Sequence, residues 1–205
     1  TGNRWAGSGW AAKVCPAYAK VPVTRNATEP NIEELMELGV DVVLFWDAYP
    51  EVIESLNKVG IPVIVTQLKD DGIDTREEFV ALKKKEIMLV GEVFGGAALE
   101  KARKWCDYVD RTVGYVTGRT GRLDPASLPS VYYVRGPESL SIHGGESYTR
   151  YLVDLAGGDL VSRKDRKLLY TTTMEQVMEW NPAYIFMGRV IIIVIPAEEV
   201  RDWCG

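Results

Sequence analysis

The sequence has few of the residues that metal centres and membrane spans require. It contains one histidine and three cysteines, Cys15, Cys106 and Cys204, with no CxxC pair, and these are too few soft ligands for a closed zinc site. The longest apolar run, Val190–Ile195, has six residues, whereas a membrane-spanning helix needs about 20. We therefore predict no structural metal and no membrane-spanning segment. The redox state and role of the three cysteines stay open, because an odd count at wide spacing fits no compartment well.

Catalytic motifs and an excess of positive charge are also lacking. No GxSxG, P-loop, HExxH or GxGxxG motif is present, so we predict no catalytic residue and no cofactor. The 205 residues include 24 Lys and Arg against 29 Asp and Glu, a formal net charge of −5, which disfavours a nucleic-acid partner. No charged-then-apolar leader opens the sequence, so we expect any export signal to have been removed or to lie outside it.

An α/β pattern occupies residues 30–66. Asn31 can cap a helix, and the nearly unbroken apolar run at 40–46 then predicts a strand covered on both faces, as in a parallel sheet. A second helix begins at Pro50, and a second strand follows at 61–66. This order predicts a right-handed βαβ unit.

A second module of helix and strand lies near the other end of the chain. Residues 174–188 align without gaps with residues 32–46, through duplication or through the pattern that such units share. Between the modules, a capping box at Thr75–Glu78 opens a helical middle, which the glycines at 95–96 divide into two helices. A strand at 130–134 and a helix at 147–156 follow. We therefore predict two α/β modules, one on each side of a long helical segment.

Candidate binding residues follow from the rule that parallel α/β sheets bind ligands beyond the carboxyl ends of their strands. The residues that follow the predicted strand ends are Trp46, Asp47, Tyr49, Arg135, Ser141, His143 and Arg189. If the two modules face each other, these residues line one cleft. Aromatic rings and guanidinium groups suit a bulky or anionic ligand.

Each of these candidates also has an ordinary structural interpretation. Trp46 could cover a sheet edge. His143 lies in a predicted turn, where a lone histidine usually faces solvent, and Arg189 could simply pair with a carboxylate. Gly144–Gly145 could form an anion-binding nest at a helix start, or could act as a loop hinge.

Four segments, taken in order, resemble the substrate-binding proteins of ABC importers for iron-siderophores, haem, cobalamin and, in some branches, molybdate or tungstate. Together they span most of residues 30–188. The segments are 30–44, 56–65, 146–158 and 175–182 with Ile185.

The resemblance implies two Rossmann-like lobes with parallel sheets, 1–96 and 123–205, joined by a stiff backbone helix at 97–122, with the ligand held between them. It implies an ABC permease as partner, with Glu51 and Glu146 docking to arginines of its transmembrane subunits. These carboxylates could instead merely stabilise helix N-termini. It also implies a location outside the cytoplasm, either periplasmic or anchored on the outer face of the cell membrane. We expect a monomer.

The sequence departs from the family pattern at both ends. Too little chain precedes Val21 for a further βα unit, and no connecting helix follows Ile185, so we expect a fragment or a shortened member. The favoured function is non-catalytic capture of a metal chelate or a metal oxyanion, with the ligand itself left open. An α/β enzyme or a metallocofactor-handling protein of similar build is the alternative, because a fold alone does not determine function.

Overall fold

A computed structural model describes residues 28–67, 72–135 and 140–188, with isolated residues at 13, 16–17 and 20–22. The chain divides into two compact units. The first comprises Thr1–Lys69 and Glu92–Phe94, and the second comprises Asp70–Gly91 and Gly95–Gly205.

The first unit has the predicted order of helix, strand, helix and strand. Its elements are α1 (Ile32–Glu37), β1 (Val43–Trp46), α2 (Pro50–Lys58) and β2 (Val63–Gln67). β1 and β2 pair in parallel, which confirms the predicted βαβ unit. The Asn31 side chain caps α1 by accepting hydrogen bonds from the N–H groups of Glu33 and Glu34.

Both strands of the first unit begin later than their apolar runs predict. The N–H of Val40 donates to the carbonyl of Leu35, and the N–H of Ile61 donates to the carbonyl of Leu56. Val40 and Ile61 therefore close the preceding helices instead of joining the strand ladder. Leu44 in β1 is 40% exposed, so the expected cover on both faces of this strand is wrong for the described residues.

The helical middle divides where the sequence predicts. α3 (Arg76–Phe94) opens with a capping box, in which Thr75 accepts from the N–H of Glu78 and the Glu78 carboxylate accepts from the N–H of Thr75. Gly95 has φ +61° and separates α3 from α4 (Gly96–Thr120). A Cβ on Gly91 would stand 2.6 Å from the Cβ of Ala102, so glycine permits the close approach of α3 to α4.

The structure groups α4 with the second unit. Its bounds match the helix predicted at 97–122 closely, and its Thr120 hydroxyl donates to the carbonyl of Leu155. The division of the chain into lobes at 1–96 and 123–205 with a linking helix stays a prediction.

The second unit contains one mixed sheet of five strands. Its strands are β3 (Ser130–Arg135), β4 (Ser141–His143), β5 (Asp159–Leu160), β6 (Leu169–Thr171) and β7 (Tyr184–Gly188), with α5 (Tyr148–Ala156) and α6 (Met174–Trp180) between them. β7 pairs in parallel along one edge of β3. The other edge is shared by β5, in parallel, and β4, antiparallel, and β6 pairs antiparallel with β4.

The expectation of parallel sheets therefore holds for β1–β2, β3–β5 and β3–β7, and is wrong for β4 and β6. Only five residues separate the end of β3 from the start of β4, and a parallel neighbour would need a crossover of a dozen residues or more. β3 itself is covered on both faces. Val131 packs with Val153 and Leu160 on one face, and Tyr132 and Val134 pack with Ile142, Val177 and Trp180 on the other.

The helices of the second unit are joined by specific contacts. The rings of Phe79 in α3 and Tyr151 in α5 stack at 4.8 Å with an interplanar angle of 11°. The Tyr151 hydroxyl donates to the carbonyl of Ile73, at 2.7 Å. These contacts fix the start of α5, and with it the segment that leads out of β4. Within the part of the chain that the structure describes, no helix is both long and apolar enough to cross a bilayer.

Candidate ligand-binding residues

The first unit presents an aromatic corner at the carboxyl end of β1. Trp46 is the last residue of β1, and Tyr49 is the N-cap residue of α2. The Trp46 and Tyr49 rings meet edge to face at 5.7 Å, and the Phe45 ring lies 5.8 Å from that of Tyr49. All three, and Asp47 between them, are partly exposed. The pairing register of β1 and β2 shifts between Phe45 and Trp46, and such irregularities turn side chains at sheet edges.

The second unit places Arg135 and Ser141 at one edge of its sheet. Arg135 is the exposed last residue of β3, and Ser141 is the half-buried first residue of β4. Because β3 and β4 are antiparallel and Val134 faces Ile142, the end of one strand adjoins the start of the other. Both residues therefore lie at the carboxyl edge of β3, where the sequence predicts them.

His143 lies elsewhere, because β4 runs back along β3. The antiparallel register brings it opposite Tyr133, and their rings are 5.4 Å apart. His143 is only 5% exposed, so the interpretation of this residue as a solvent-facing histidine in a turn is wrong. Its Nδ1 atom lies 2.5 Å from the Oγ1 atom of Thr149, and the Tyr148 ring meets it edge to face at 5.3 Å.

This environment keeps the imidazole neutral. Burial, and secondarily the positive charge of Arg135, lower the pKa of His143 below its usual value of 6.5. Burial also raises the pKa of Tyr133. At neutral pH the half-buried Tyr133 ring is therefore uncharged, and Arg135 two residues further along β3 supplies an exposed guanidinium; this combination suits an anion with an extended face.

Tyr133, Tyr148 and Thr149 were missed by the sequence reasoning. Tyr148 is 45% exposed, while Thr149 is buried behind it. The available signal was the short separation of His143 from the helix start predicted at Ser147. When a chain turns directly from a strand into a helix, the first turn of the helix lies close to the end of the strand. Thr149, six residues after His143, is in that first turn.

Gly144 and Gly145 do not form an anion-binding nest. The N–H groups of Gly144, Gly145 and Glu146 donate to the carbonyls of Leu168, Asp165 and Lys167, respectively. A Cβ at either glycine would collide with a carbonyl oxygen of this same segment. These glycines therefore allow two backbone segments to pack against each other, and the nest hypothesis is wrong because its donors are already used.

The two predicted docking residues are exposed at helix starts. Glu51 lies in the first turn of α2, and Glu146 lies immediately before Ser147, the N-cap residue of α5. Arg189 lies outside the described residues, as do Cys15 and Cys204. Cys106 is a buried free thiol on α4. In the described segments, no group of three or more His, Cys, Asp or Glu side chains is arranged to hold a metal ion.

Known proteins similar to this chain bind solutes. The MolA molybdate-binding protein of Haemophilus influenzae is 26% identical over 210 residues, which cover 92% of this chain and 58% of MolA. The solved structure of MolA bound to molybdate has a TM-score of 0.75 at 23% identity, covering 86% of this chain and 57% of that one. A periplasmic solute binding protein from Veillonella parvula has a TM-score of 0.70 at 22% identity, covering 97% and 56%.

A third protein with the same fold is the periplasmic vitamin B12 binding protein BtuF of Vibrio cholerae, with a TM-score of 0.61 at 17% identity, covering 88% of this chain and 67% of BtuF. The chain thus spans a little over half the length of MolA and of the Veillonella protein. The family profile of the periplasmic binding proteins matches residues 3–190, and the chain therefore belongs to the periplasmic binding protein family.

Proposed function

We propose that this protein is an extracytoplasmic solute-binding protein that captures a metal oxyanion or a metal chelate and delivers it to an ABC importer permease. The observation that carries the proposal is the family match over residues 3–190. The names of relatives support the ligand class, since MolA binds molybdate and BtuF binds vitamin B12. A non-catalytic role, an uptake partner and a location outside the cytoplasm are parts of the same proposal, as is a monomeric state.

Ligand contacts are proposed in each unit separately. In the first unit they are Trp46, Asp47 and Tyr49, whose rings offer apolar faces beside a carboxylate. In the second unit, Arg135 and Ser141 supply donors to negative oxygens, and a guanidinium binds such oxygens in a bidentate manner. His143 acts indirectly in this proposal, because its ring is buried and packs against the exposed ring of Tyr148. Arg189 remains a proposed contact on sequence grounds alone.

The capture of a ligand is tested with the purified chain and a panel of molybdate, tungstate, a ferric siderophore, haem and cobalamin, with phosphate and sulfate as comparison anions. Native mass spectrometry should show one unmodified ligand bound per chain for one member of the panel. Chemical conversion of any panel member, or capture of none of them, would overturn the proposal.

Two substitutions test the contacts separately. Arg135→Gln should weaken capture of an anionic ligand about tenfold or more, because a hydrogen bond to a charged group contributes about 1.5–3 kcal/mol. Arg122→Gln is the matched control, since Arg122 is also exposed but lies outside the proposed site.

Trp46→Ala should weaken capture of a large flat ligand more than Trp46→Phe, which keeps a ring. Unchanged affinity in Arg135→Gln and Trp46→Ala would remove these residues from the site.

We propose that Glu51 and Glu146 dock the protein to its permease. Glu146→Lys should impair ligand uptake by cells while leaving the affinity for ligand unchanged. Glu175→Lys is the matched control, because Glu175 is also an exposed glutamate close to a helix start, in the first turn of α6. Loss of ligand affinity in Glu146→Lys would instead place this residue among the ligand contacts.

A further inference from the structure

The exposed side of α4 carries a stripe that neither the fold nor the proposed ligand site uses. We call it the cationic–aromatic stripe, and it consists of Lys104, Trp105, Tyr108, Arg111, Tyr115 and Arg119. All six residues are exposed, with Tyr108 at 57% and Tyr115 at 63%. Three of the six are large aromatic residues, and exposed apolar surface that is contiguous and bordered by polar side chains is typical of interaction sites.

The spacing of these residues places them on one face. At 3.6 residues per turn, steps of three and four residues from Lys104 to Arg119 keep them within a sector of about 120° along about 22 Å of helix. The buried residues Ala102 and Cys106 lie on another side of α4. The stripe therefore points away from the face that packs in the second unit.

Cations outnumber carboxylates on the exposed side of α4, where the exposed carboxylates of Glu100 and Asp107 adjoin the stripe without belonging to it. The stripe contains three cations and no carboxylate, and Lys101 extends it by one helical turn. Asp110 lies off the stripe and is engaged by Lys84 of α3 at 2.5 Å. Arg119 lies over the ring of Tyr115, with its guanidinium carbon 3.5 Å from the ring centroid. This local excess of positive charge stands on a chain whose formal net charge is −5.

We propose that the cationic–aromatic stripe is a docking surface for an anionic phospholipid membrane. Lys and Arg side chains are attracted to anionic headgroups, and Trp and Tyr rings are enriched where apolar and wet regions meet. An exposed helix face of about 22 Å can lie along a flat headgroup layer. The acidic remainder of the chain is repelled by the same layer, so the attraction would also orient the protein with α4 towards the lipid.

Exposed aromatic rings argue for lipid over a purely polyanionic partner. A polyanion would be attracted equally to a face of Lys and Arg alone, whereas the stripe alternates its cations with rings that can enter the headgroup layer. The inference does not depend on the proposed function, and the experiment that follows does not measure ligand capture.

The test is flotation of the purified chain with two kinds of vesicle, one of phosphatidylcholine alone and one of phosphatidylcholine mixed with phosphatidylglycerol. We expect binding to the mixed vesicles that weakens as salt is raised, and little binding to phosphatidylcholine. The double substitution K104Q/R111Q should weaken partitioning about tenfold or more, as expected for the loss of two membrane-facing charges. Tyr108→Gln should give a smaller loss.

The matched control is K164Q/R166Q, which removes two exposed cations from a loop of the same unit. Circular dichroism of each variant establishes that the helices are retained. Equal weakening by the stripe variant and the control would overturn the proposal, because net charge rather than the stripe would then determine binding. Binding to heparin or DNA without binding to vesicles, or the absence of all vesicle binding, would overturn it as well.

Discussion

At the scale of single residues, the surroundings of His143 decide its chemistry. It is the single histidine of the chain, and the fold buries it among Tyr133, Tyr148 and Thr149, with Arg135 the nearby charge that disfavours protonation. A buried imidazole that lacks a carboxylate partner is more stable without a proton. His143 therefore behaves as a polar aromatic residue of the core instead of an exposed titrating group.

The lowered pKa of His143 makes the stability of the protein depend on pH. Above pH 6.5 the imidazole is neutral in both the folded and the unfolded chain. As the pH falls through about 6.5, the unfolded chain gains a proton that the folded chain resists, so the free energy of unfolding should fall until the lower folded pKa is reached. Urea unfolding at pH values of about 7.5 and about 5.5, one unit on either side of the ordinary pKa of a histidine, measures this loss.

His143→Gln provides the comparison for this prediction. Loss of the ring contacts should lower the free energy of unfolding of this variant at both pH values. The difference between the two pH values should become smaller, because the contribution of His143 to it is removed. An identical loss of stability between the two pH values in both proteins would contradict the prediction and would assign the pH dependence to carboxylates.

At the scale of elements, backbone contacts between short segments hold the second sheet edge in place. The turn at Gly144–Gly145 is bonded to residues 163–168 through three N–H groups. The Ser162 hydroxyl donates to the carbonyl of His143. This turn therefore connects β4 to α5 rigidly, and it fixes the position of Tyr148 and Thr149 relative to His143.

Gly145→Ala should destabilise the protein, because the added Cβ would overlap the carbonyl oxygen of Arg163. We expect the free energy of unfolding to fall by about 1–3 kcal/mol, as for other overpacking substitutions. Gly118→Ala is the matched control, since its Cβ meets nothing within 4 Å and alanine favours a helix interior by about 0.5–1 kcal/mol. Denaturant unfolding of both variants measures the difference. Equal stability of the two variants would show that the turn shifts to accommodate the added methyl group at little cost in free energy.

The helix caps show which hydrogen bonds a local sequence pattern predicts correctly. The capping box at Thr75 and Glu78 forms as predicted. Thr173 and Gln176 have the sequence pattern of a second capping box, which forms only in part. Thr173 accepts from the N–H of Gln176, but the Gln176 amide donates to the carboxylate of Glu179. A neutral amide is drawn to a nearby carboxylate, because a hydrogen bond to a charged acceptor is the stronger one.

At the scale of the whole molecule, each unit has its own apolar core. In the first unit the core residues are Leu35, Leu56 and Ile61. In the second unit, separate clusters lie on the two faces of β3. Because the core clusters of the described residues have no member in common, we expect each unit to respond to truncation of its own core.

Leu56→Ala and Leu160→Ala test this independence and act as controls for each other. Both leucines are almost fully buried, at 0% and 1% exposure, and truncation of such a residue costs about 2–5 kcal/mol. Hydrogen exchange should show faster opening of α1 and α2 in the first variant and of β3 and α5 in the second. Faster exchange throughout the chain in either variant would show that the two units unfold as one.

Much of the local structure could be predicted because it depends on neighbours in the chain. Thr75, Pro50 and Gly95 determine helix boundaries through bonds and dihedral angles within a few residues, and apolar runs indicate buried strands. The positions of Trp46 and Arg135 at strand ends follow from the same patterns. The four segments that resemble the family carry its αβ order, and the match over residues 3–190 confirms the family.

The sequence by itself therefore determined the helices, the parallel pairing of β1 with β2, the family and two of the edges at which ligand contacts are proposed. Only the tertiary structure decided that β4 runs antiparallel, that His143 is buried beside Tyr133, and that the backbone donors of Gly144 and Gly145 are already bonded. The physical reason is that helix caps and apolar periodicity act over a few residues, whereas burial and strand pairing depend on segments far apart in sequence. Whether a polar side chain meets solvent, a ligand or a distant carbonyl cannot be decided until those segments have been brought together.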